Sequence, residues 1–335
     1  MPVNISPLVH IEIVVRDAKR AYQFLHNVFG AEKVQEDFAN FLDGPANRVI
    51  HVELGGVVLQ FIQPLAEGTS WYEQLAAHGP GVHNLTFVVD DVEEAARLLE
   101  EEGVTDRFTF PLDWGQLLGP ENVKPDPRPV YMINTMDKLG FRLELAESPA
   151  REGIETPAEL LDKPEPVGET VKTSAPSAVS PMLHIELAVP NVDQTCALLN
   201  KVFGVEKVEE KFADFLDGDF NKVIHVAMGE TVLQYCEPQV EMGSWYEQVK
   251  TKGPGVHNLT YLVENMEETV TALEKEGASV LLTFPLDWGQ LVGPENVRPD
   301  VAPVHMIDTM DILGFHLELG ERPTDGPVDF LYRSI

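Results

Sequence analysis

Residues 8–15 read LVHIEIVV, and residues 182–189 read MLHIELAV, so His10 recurs 174 positions later as His184. The alternation predicts a strand with His10, Glu12 and Val14 on one face and Ile11, Ile13 and Val15 on the other. Working outward, residues 17–29 (DAKRAYQFLHNVF) place apolar side chains at helical spacing and stop at Gly30. RVIHVEL and VVLQFIQ flank Gly55-Gly56, the pattern of a hairpin. The order then restarts: a strand over 82–89, a helix over 91–102 ending at Gly103, a strand over 103–109, a long Pro/Gly loop, and the strands PVYMIN and FRLEL. Each half of the chain is therefore strand, helix and three strands, performed twice.

The repeat covers nearly everything. FLDG, VIHV, SWYEQ, GPGVHNLT, TFPLDWGQL and GPENV all return at the same offset, and more than half of the aligned pairs between 8–147 and 182–321 are identical. The expected organisation is a first domain over 1–147, a linker over 148–181, a second domain over 182–321 and a C-terminal tail over 322–335. The linker is rich in Pro, Glu, Ser and Thr and has little apolar pattern.

Composition narrows the function. The 335 residues carry a formal charge of −31, which opposes a phosphate backbone or an anionic membrane surface. No apolar run approaches the ~20 residues of a spanning helix, and the N-terminus lacks the basic and apolar regions of a signal peptide. Cys196 and Cys236 both lie in the second half, so a disulfide framework is not expected and a cytoplasmic setting fits. No P-loop, dinucleotide fingerprint, Ser-His-Asp order or Cys-x-x-Cys is present.

Strand parity predicts a polar-lined cup. His10 and Glu12 face away from the helices, His51 shares a face with Glu53, Gln60 opposes Phe61, and Arg142 and Glu144 oppose Leu143 and Leu145. One solvated sheet face would give the same alternation.

Paired modules of this order, with a His on the first strand and a Glu on the last, resemble the vicinal oxygen chelate superfamily. It includes glyoxalases, epimerases, extradiol dioxygenases and bleomycin-resistance proteins. The closest local resemblance is to methylmalonyl-CoA epimerase, through His10 in LVHIEI, Gln60 in LQFIQPL and Glu144 in GFRLEL. The resemblance implies an α+β fold of four βαβββ modules forming two domains with curved mixed sheets. It also implies a divalent metal ion (Co, Mn, Ni, Zn or Fe) held by His10, Gln60 and Glu144, and by His184, Gln234 and Glu318. Either a monomer with pseudo-dimeric halves or a homodimer fits it.

One departure stands out. The superfamily's second metal-binding His falls in GPGVHNLT, where helix-side parity puts Asn84 and Asn258, rather than His83 and His257, at the ligand position. A bulge turning His83 inward, a weak Asn ligand, or a site without metal all satisfy the pattern. Glu12 and Glu186 are further candidates for ligand or substrate contact. His51 and His225 are placed to transfer a proton or to replace a ligand. Trp71 and Tyr72 belong to a pocket rim or a packed helix start. Trp114 and Trp288, in the long near-repeated loop, are expected to wall the substrate, with Lys124 and Arg298 either meeting an acidic substrate or simply solvated. Catalytic roles fall to His51, His225, Glu144 and Glu318. The expected function is an epimerase, isomerase or lyase acting on a small oxygenated substrate through an enolate-like state. An iron-dependent extradiol-type dioxygenase and a metal-free binding protein are the alternatives.

Overall fold

The computed structural model describes residues 1–34, 43–115, 120–150, 177–208 and 217–324. Most of the expected linker and tail, residues 151–176 and 325–335, lies outside the described residues. The fold is α+β and duplicated: two mixed sheets, each covered on one face by helices.

The first half begins with β1 (Ile5–Val14), α1 (Ala18–Phe29), β2 (Glu32–Lys33), β3 (Asn47–Leu54) and β4 (Val57–Pro64). After α2 (Ser70–His78) come β5 (Gly81–Val89), α3 (Val92–Glu101), β6 (Arg107–Phe110), β7 (Val130–Ile133) and β8 (Arg142–Glu147). The Asp17 carboxylate starts α1 by accepting from the backbone N–H groups of Lys19 and Arg20, and Gly30, left-handed at φ 71°, ends it. The eight strands form one sheet in the order β2-β3-β4-β1-β5-β8-β7-β6. The two module-opening strands, β1 and β5, pair antiparallel at its centre, and each is flanked by the last strand of its own module, β4 and β8, in parallel. This arrangement brings four site strands side by side.

The second half repeats it with β9 (His184–Ala188), α4 (Val192–Phe203), β10 (Asn221–Met228), β11 (Thr231–Pro238), α5 (Ser244–Thr251), β12 (Gly255–Val263) and α6 (Met266–Lys275). Next come β13 (Ser279–Phe284), β14 (Val304–Asp308) and β15 (His316–Glu321). The strand order is β10-β11-β9-β12-β15-β14-β13.

Ile11, Ile13, Leu85, Phe87, Leu143 and Leu145 all point to the helical face and are fully buried. The helical faces of the two halves meet, so one apolar core runs through both. Polar ties cross the seam: Arg20 Nη1 to Glu276 Oε2 at 2.8 Å, and Thr195 Oγ1 to the Lys138 carbonyl at 2.6 Å. The hairpin turn of each half also presses on the other half. Gly55, at φ 58°, approaches Ser180 so closely that a Cβ would sit 2.5 Å from its carbonyl oxygen. Gly229 does the same against Ser6. No side chain fits at either position. No helix among the described residues is long and apolar enough to cross a membrane.

Tyr235 and Tyr261 stand where the first half has Phe61 and Phe87. Both rings are fully buried, and neither hydroxyl has a hydrogen-bond partner among the described residues. A buried hydroxyl without a partner costs about 1–3 kcal/mol. Tyr235→Phe and Tyr261→Phe are each expected to stabilise the protein by about 1 kcal/mol in chemical denaturation. A loss of stability would show that the hydroxyls are bonded in solution.

Candidate metal centre

The sheet register lines up the polar residues. In the first half His51, Gln60, Glu12, Asn84 and Arg142 form one row across β3, β4, β1, β5 and β8. The neighbouring row holds His10, Thr86 and Glu144. The second half has His225, Gln234, Glu186, Asn258 and His316 in one row and His184, Thr260 and Glu318 in the other. Strand alternation puts all of them on the face away from the helices.

The expected ambiguity at His83 resolves as a bulge. Pairing steps from Glu12↔Asn84 to Ile13↔Val82, which leaves His83 unopposed. Both His83 and Asn84 then reach the site. His83 Nδ1–H lies 2.8 Å from Glu12 Oε1 and 2.7 Å from Asn84 Oδ1. The Asn84 amide donates from Nδ2 to Glu144 Oε2 at 2.8 Å. In this arrangement Asn84 orients the carboxylate of Glu144. His257 and Asn258 repeat the pattern, with His257 Nδ1 2.9 Å from Glu186 Oε1 and Asn258 Nδ2 3.2 Å from Glu318 Oε2.

Glu12 is gripped from a second side by Trp71, whose indole N–H donates to Oε1 at 2.6 Å; Trp245 does the same to Glu186. Thr86 bridges the neighbouring row, with Oγ1 3.0 Å from both His10 Nε2 and Glu144 Oε2. Three ligand atoms result, from His10, Glu12 and Glu144, all within 4.8 Å of one another; His184, Glu186 and Glu318 form the equivalent set. Gln60 and His51 sit beside the first set. In the second half Gln234 links His225 to the cluster, at 2.8 Å from His225 Nε2 and 2.7 Å from Glu186 Oε2.

The electrostatics fit a cation. Burial, then the charge of Glu12, pushes the Glu144 carboxyl up to about 8; burial and Glu186 do the same to Glu318. Burial, then His51, pushes His10 down to about 3, which leaves it neutral and able to donate a lone pair. Buried Gln60 Oε1 has no hydrogen-bond partner among the described residues, so an oxygen donor stands unused beside Glu12. Two carboxylates, one neutral imidazole and an amide oxygen suit a divalent ion.

Other expected residues fall outside this cluster. Trp114 is buried against Val88, Val130 and Ala146, which continues the site face of the sheet beyond Glu144; Trp288 packs against Val304, Leu262 and Gly320. Neither indole N–H has a hydrogen-bond partner among the described residues. Lys124 and Arg298 tie their loops down, Lys124 to the Ser148 carbonyl at 2.9 Å and Arg298 to the Arg322 carbonyl at 3.2 Å. The sequence reading missed Thr86 and Thr260 as bridges. Parity alone would have found them, two residues beyond Asn84 and Asn258. It left Trp71 unresolved because the docking of α2 over Glu12 is a tertiary event.

The family model of the Glyoxalase/Bleomycin resistance protein/Dioxygenase superfamily matches residues 9–109 and 183–286. No curated protein sequence matches the chain. A mutant of 4-hydroxymandelate synthase from Streptomyces coelicolor superposes with a TM-score of 0.58 at 18% identity, over 98% of this chain and 95% of that one. The Mn(II)-bound glyoxalase from Novosphingobium aromaticivorans superposes at 0.52 and 14% identity, over 96% and 85%. A xylose isomerase-like TIM barrel/4-hydroxyphenylpyruvate dioxygenase fusion protein gives 0.52 at 14%, over 98% of this chain and half of that one. These likenesses are of fold, and none carries the narrower resemblance to methylmalonyl-CoA epimerase. With the family model matched once in each half, the chain belongs to the glyoxalase/bleomycin resistance protein/dioxygenase superfamily.

Proposed function

We propose that each half carries a divalent-cation site of an enzyme that moves a proton on a small oxygenated substrate, in an epimerase, isomerase or lyase reaction. The observation that carries this reading is the convergence, twice in one chain, of a histidine and two buried glutamates on one sheet face. When bound, the cation polarises a carbonyl or a vicinal oxygen pair and makes an adjacent C–H more acidic. His10, Glu12 and Glu144 would hold it with Gln60; His184, Glu186, Glu318 and Gln234 would do so in the second half. Trp71 and His83 fix Glu12, while Asn84 and Thr86 fix Glu144, so the donor atoms are set before substrate arrives. His51, held at about 4 by burial, is neutral at working pH and can accept the substrate proton. The same burial makes it a weaker base than a free imidazole, so the transfer leans on the acidity the cation would confer on the adjacent C–H. A second reading, an iron-dependent ring-cleaving dioxygenase, is favoured by the inward turn of His83, since such enzymes use two imidazoles and one carboxylate. Metal analysis of the purified protein separates the readings: oxygen-sensitive iron supports the dioxygenase, and absence of stoichiometric metal supports a binding protein.

Glu144→Gln with Glu318→Gln should remove most bound divalent ion while the protein stays folded, because the change deletes charge from a buried site. Unchanged metal content on elemental analysis would rule out these ligands.

Cation binding should also release protons. The folded-state pKa of Glu144 and Glu318 is raised, from 4.5 to about 8. In the metal-free protein these carboxyls therefore bind protons that the unfolded chain has lost, and stability falls as pH rises through that window. Affinity for Mn(II) should climb over the same window. Titration calorimetry in buffers of different ionisation enthalpy should find protons displaced at pH 7, and their absence would contradict the assignment.

His51→Asn with His225→Asn should cut turnover by roughly 10²–10⁴-fold with metal content intact. Both changes are needed, since one working site would mask the loss. Metal lost along with activity would make these histidines ligands, and unchanged turnover would remove them from the reaction.

A further inference from the structure

The two sites are near-copies in their cation donors but differ at one row position. Arg142 ends the first row, beside Asn84 and two residues before Glu144 on β8; the equivalent position on β15 is His316. Alternation puts Arg142 on the same face as Glu144, about 7 Å along the strand. Its guanidinium is half-buried, and its one hydrogen bond among the described residues is to a neutral group, the Gln74 amide oxygen, at 3.3 Å. No carboxylate among the described residues pairs with it within 4 Å, in a chain with more than twice as many acidic as basic residues. Four further N–H donors have no partner among the described residues. Arg142, but none of the cation donors, also lines a cleft of about 490 Å³ at the seam between the halves, together with Gln74, Val82 and Lys252. His316 is outside that cleft. Its ring lies tilted at 5.4 Å from the His257 ring, and its Nδ1 lies 3.6 Å from Asp308 Oδ1.

We infer that the two sites have diverged in substrate: the first takes an anionic substrate whose carboxylate is clamped by Arg142, and the second, with His316, does not. A partly desolvated guanidinium with unused donors is a receptor for a planar carboxylate, which it meets with two parallel hydrogen bonds. A molecule that meets both groups has two ends. One end carries the oxygen pair that meets the cation, and a second carboxylate lies a short aliphatic spacer away. A chelating 2-oxo acid with a distal carboxylate has that shape. This inference rests on the cation reading of the site for the oxygen pair, but not for the carboxylate.

The test uses the full chain and two probes, 2-oxoglutarate and pyruvate, which share the chelating end and differ in the distal carboxylate. Mn(II) binding is measured first by electron paramagnetic resonance, and probe binding then by calorimetry with and without Mn(II). The expected result is one 2-oxoglutarate per chain, bound at least tenfold more tightly than pyruvate. Arg142→Met should abolish that preference, a loss of roughly 10–100-fold in affinity for 2-oxoglutarate, and leave Mn(II) and pyruvate binding unchanged. His316→Arg should raise the stoichiometry towards two. Two equivalent tight sites in the unaltered protein, or a preference that survives Arg142→Met, would overturn the inference. Failure of Mn(II) to bind would instead defeat the cation reading. In that case Arg142-dependent binding of 2-oxoglutarate to the metal-free protein upholds the role of Arg142, and its absence overturns it.

Discussion

Two buried carboxylates a few ångströms apart are the constraint around which each half is organised. Glu12 and Glu144 are drawn from water on the same face as His10, with ligand atoms within 4.8 Å. Alone, such a pair is unstable as two charges, and burial with like charge pushes Glu144 towards its protonated form. The surrounding groups make sense as a response. Trp71 and His83 both donate to Glu12, and Asn84 and Thr86 both donate to Glu144. These donors stabilise negative charge without cancelling it, so the remaining imbalance is available to a cation. The helices behind the sheet make this arrangement rigid, because every strand that carries a site residue is anchored on its other face by Ile, Leu or Phe.

Much of this was legible in the sequence because strand alternation is a strict code. Parity put His10, Glu12, Gln60, His51, Arg142 and Glu144 on one face before any contact was known. The offset between the halves then said that the face occurs twice. Parity failed at His83, where the bulge inserts one residue and shifts the code by one step. Nothing in GPGVHNLT marks the bulge, since Gly81 and Val82 would suit a regular strand equally well. The role of Trp71 was hidden for another reason. It depends on how α2 lies over β1, and a helix nine residues long has several faces that could turn inward. Trp114 packs in a satellite apolar cluster on the site face of the sheet, a placement that no local pattern in the long loop encodes.

Duplication lets the chain keep its cation donors fixed while other positions drift. The His, Glu, Gln, Asn and Thr of both rows are the same in each half. Differences gather around them: Arg142 against His316, Phe61 and Phe87 against Tyr235 and Tyr261, Ala146 against Gly320. The last pair shows how the second half compensates. A Cβ at Gly320 would press on the Trp288 ring, so the loop there sits closer to its strand than a side chain would allow.

The glycines at the hairpin tips have a consequence for the history and the engineering of the chain. Gly55 meets Ser180 and Gly229 meets Ser6, so each half offers the other the same socket and the same plug. Such reciprocity is the signature of an isologous contact, the kind by which two identical subunits associate. Each half carries both parts of the lock and an apolar helical face that the other half covers. Within the chain the two halves meet as two like subunits would. Joining the two copies covalently frees each from having to mirror the other, and symmetry no longer forces a change in one site to appear in its twin.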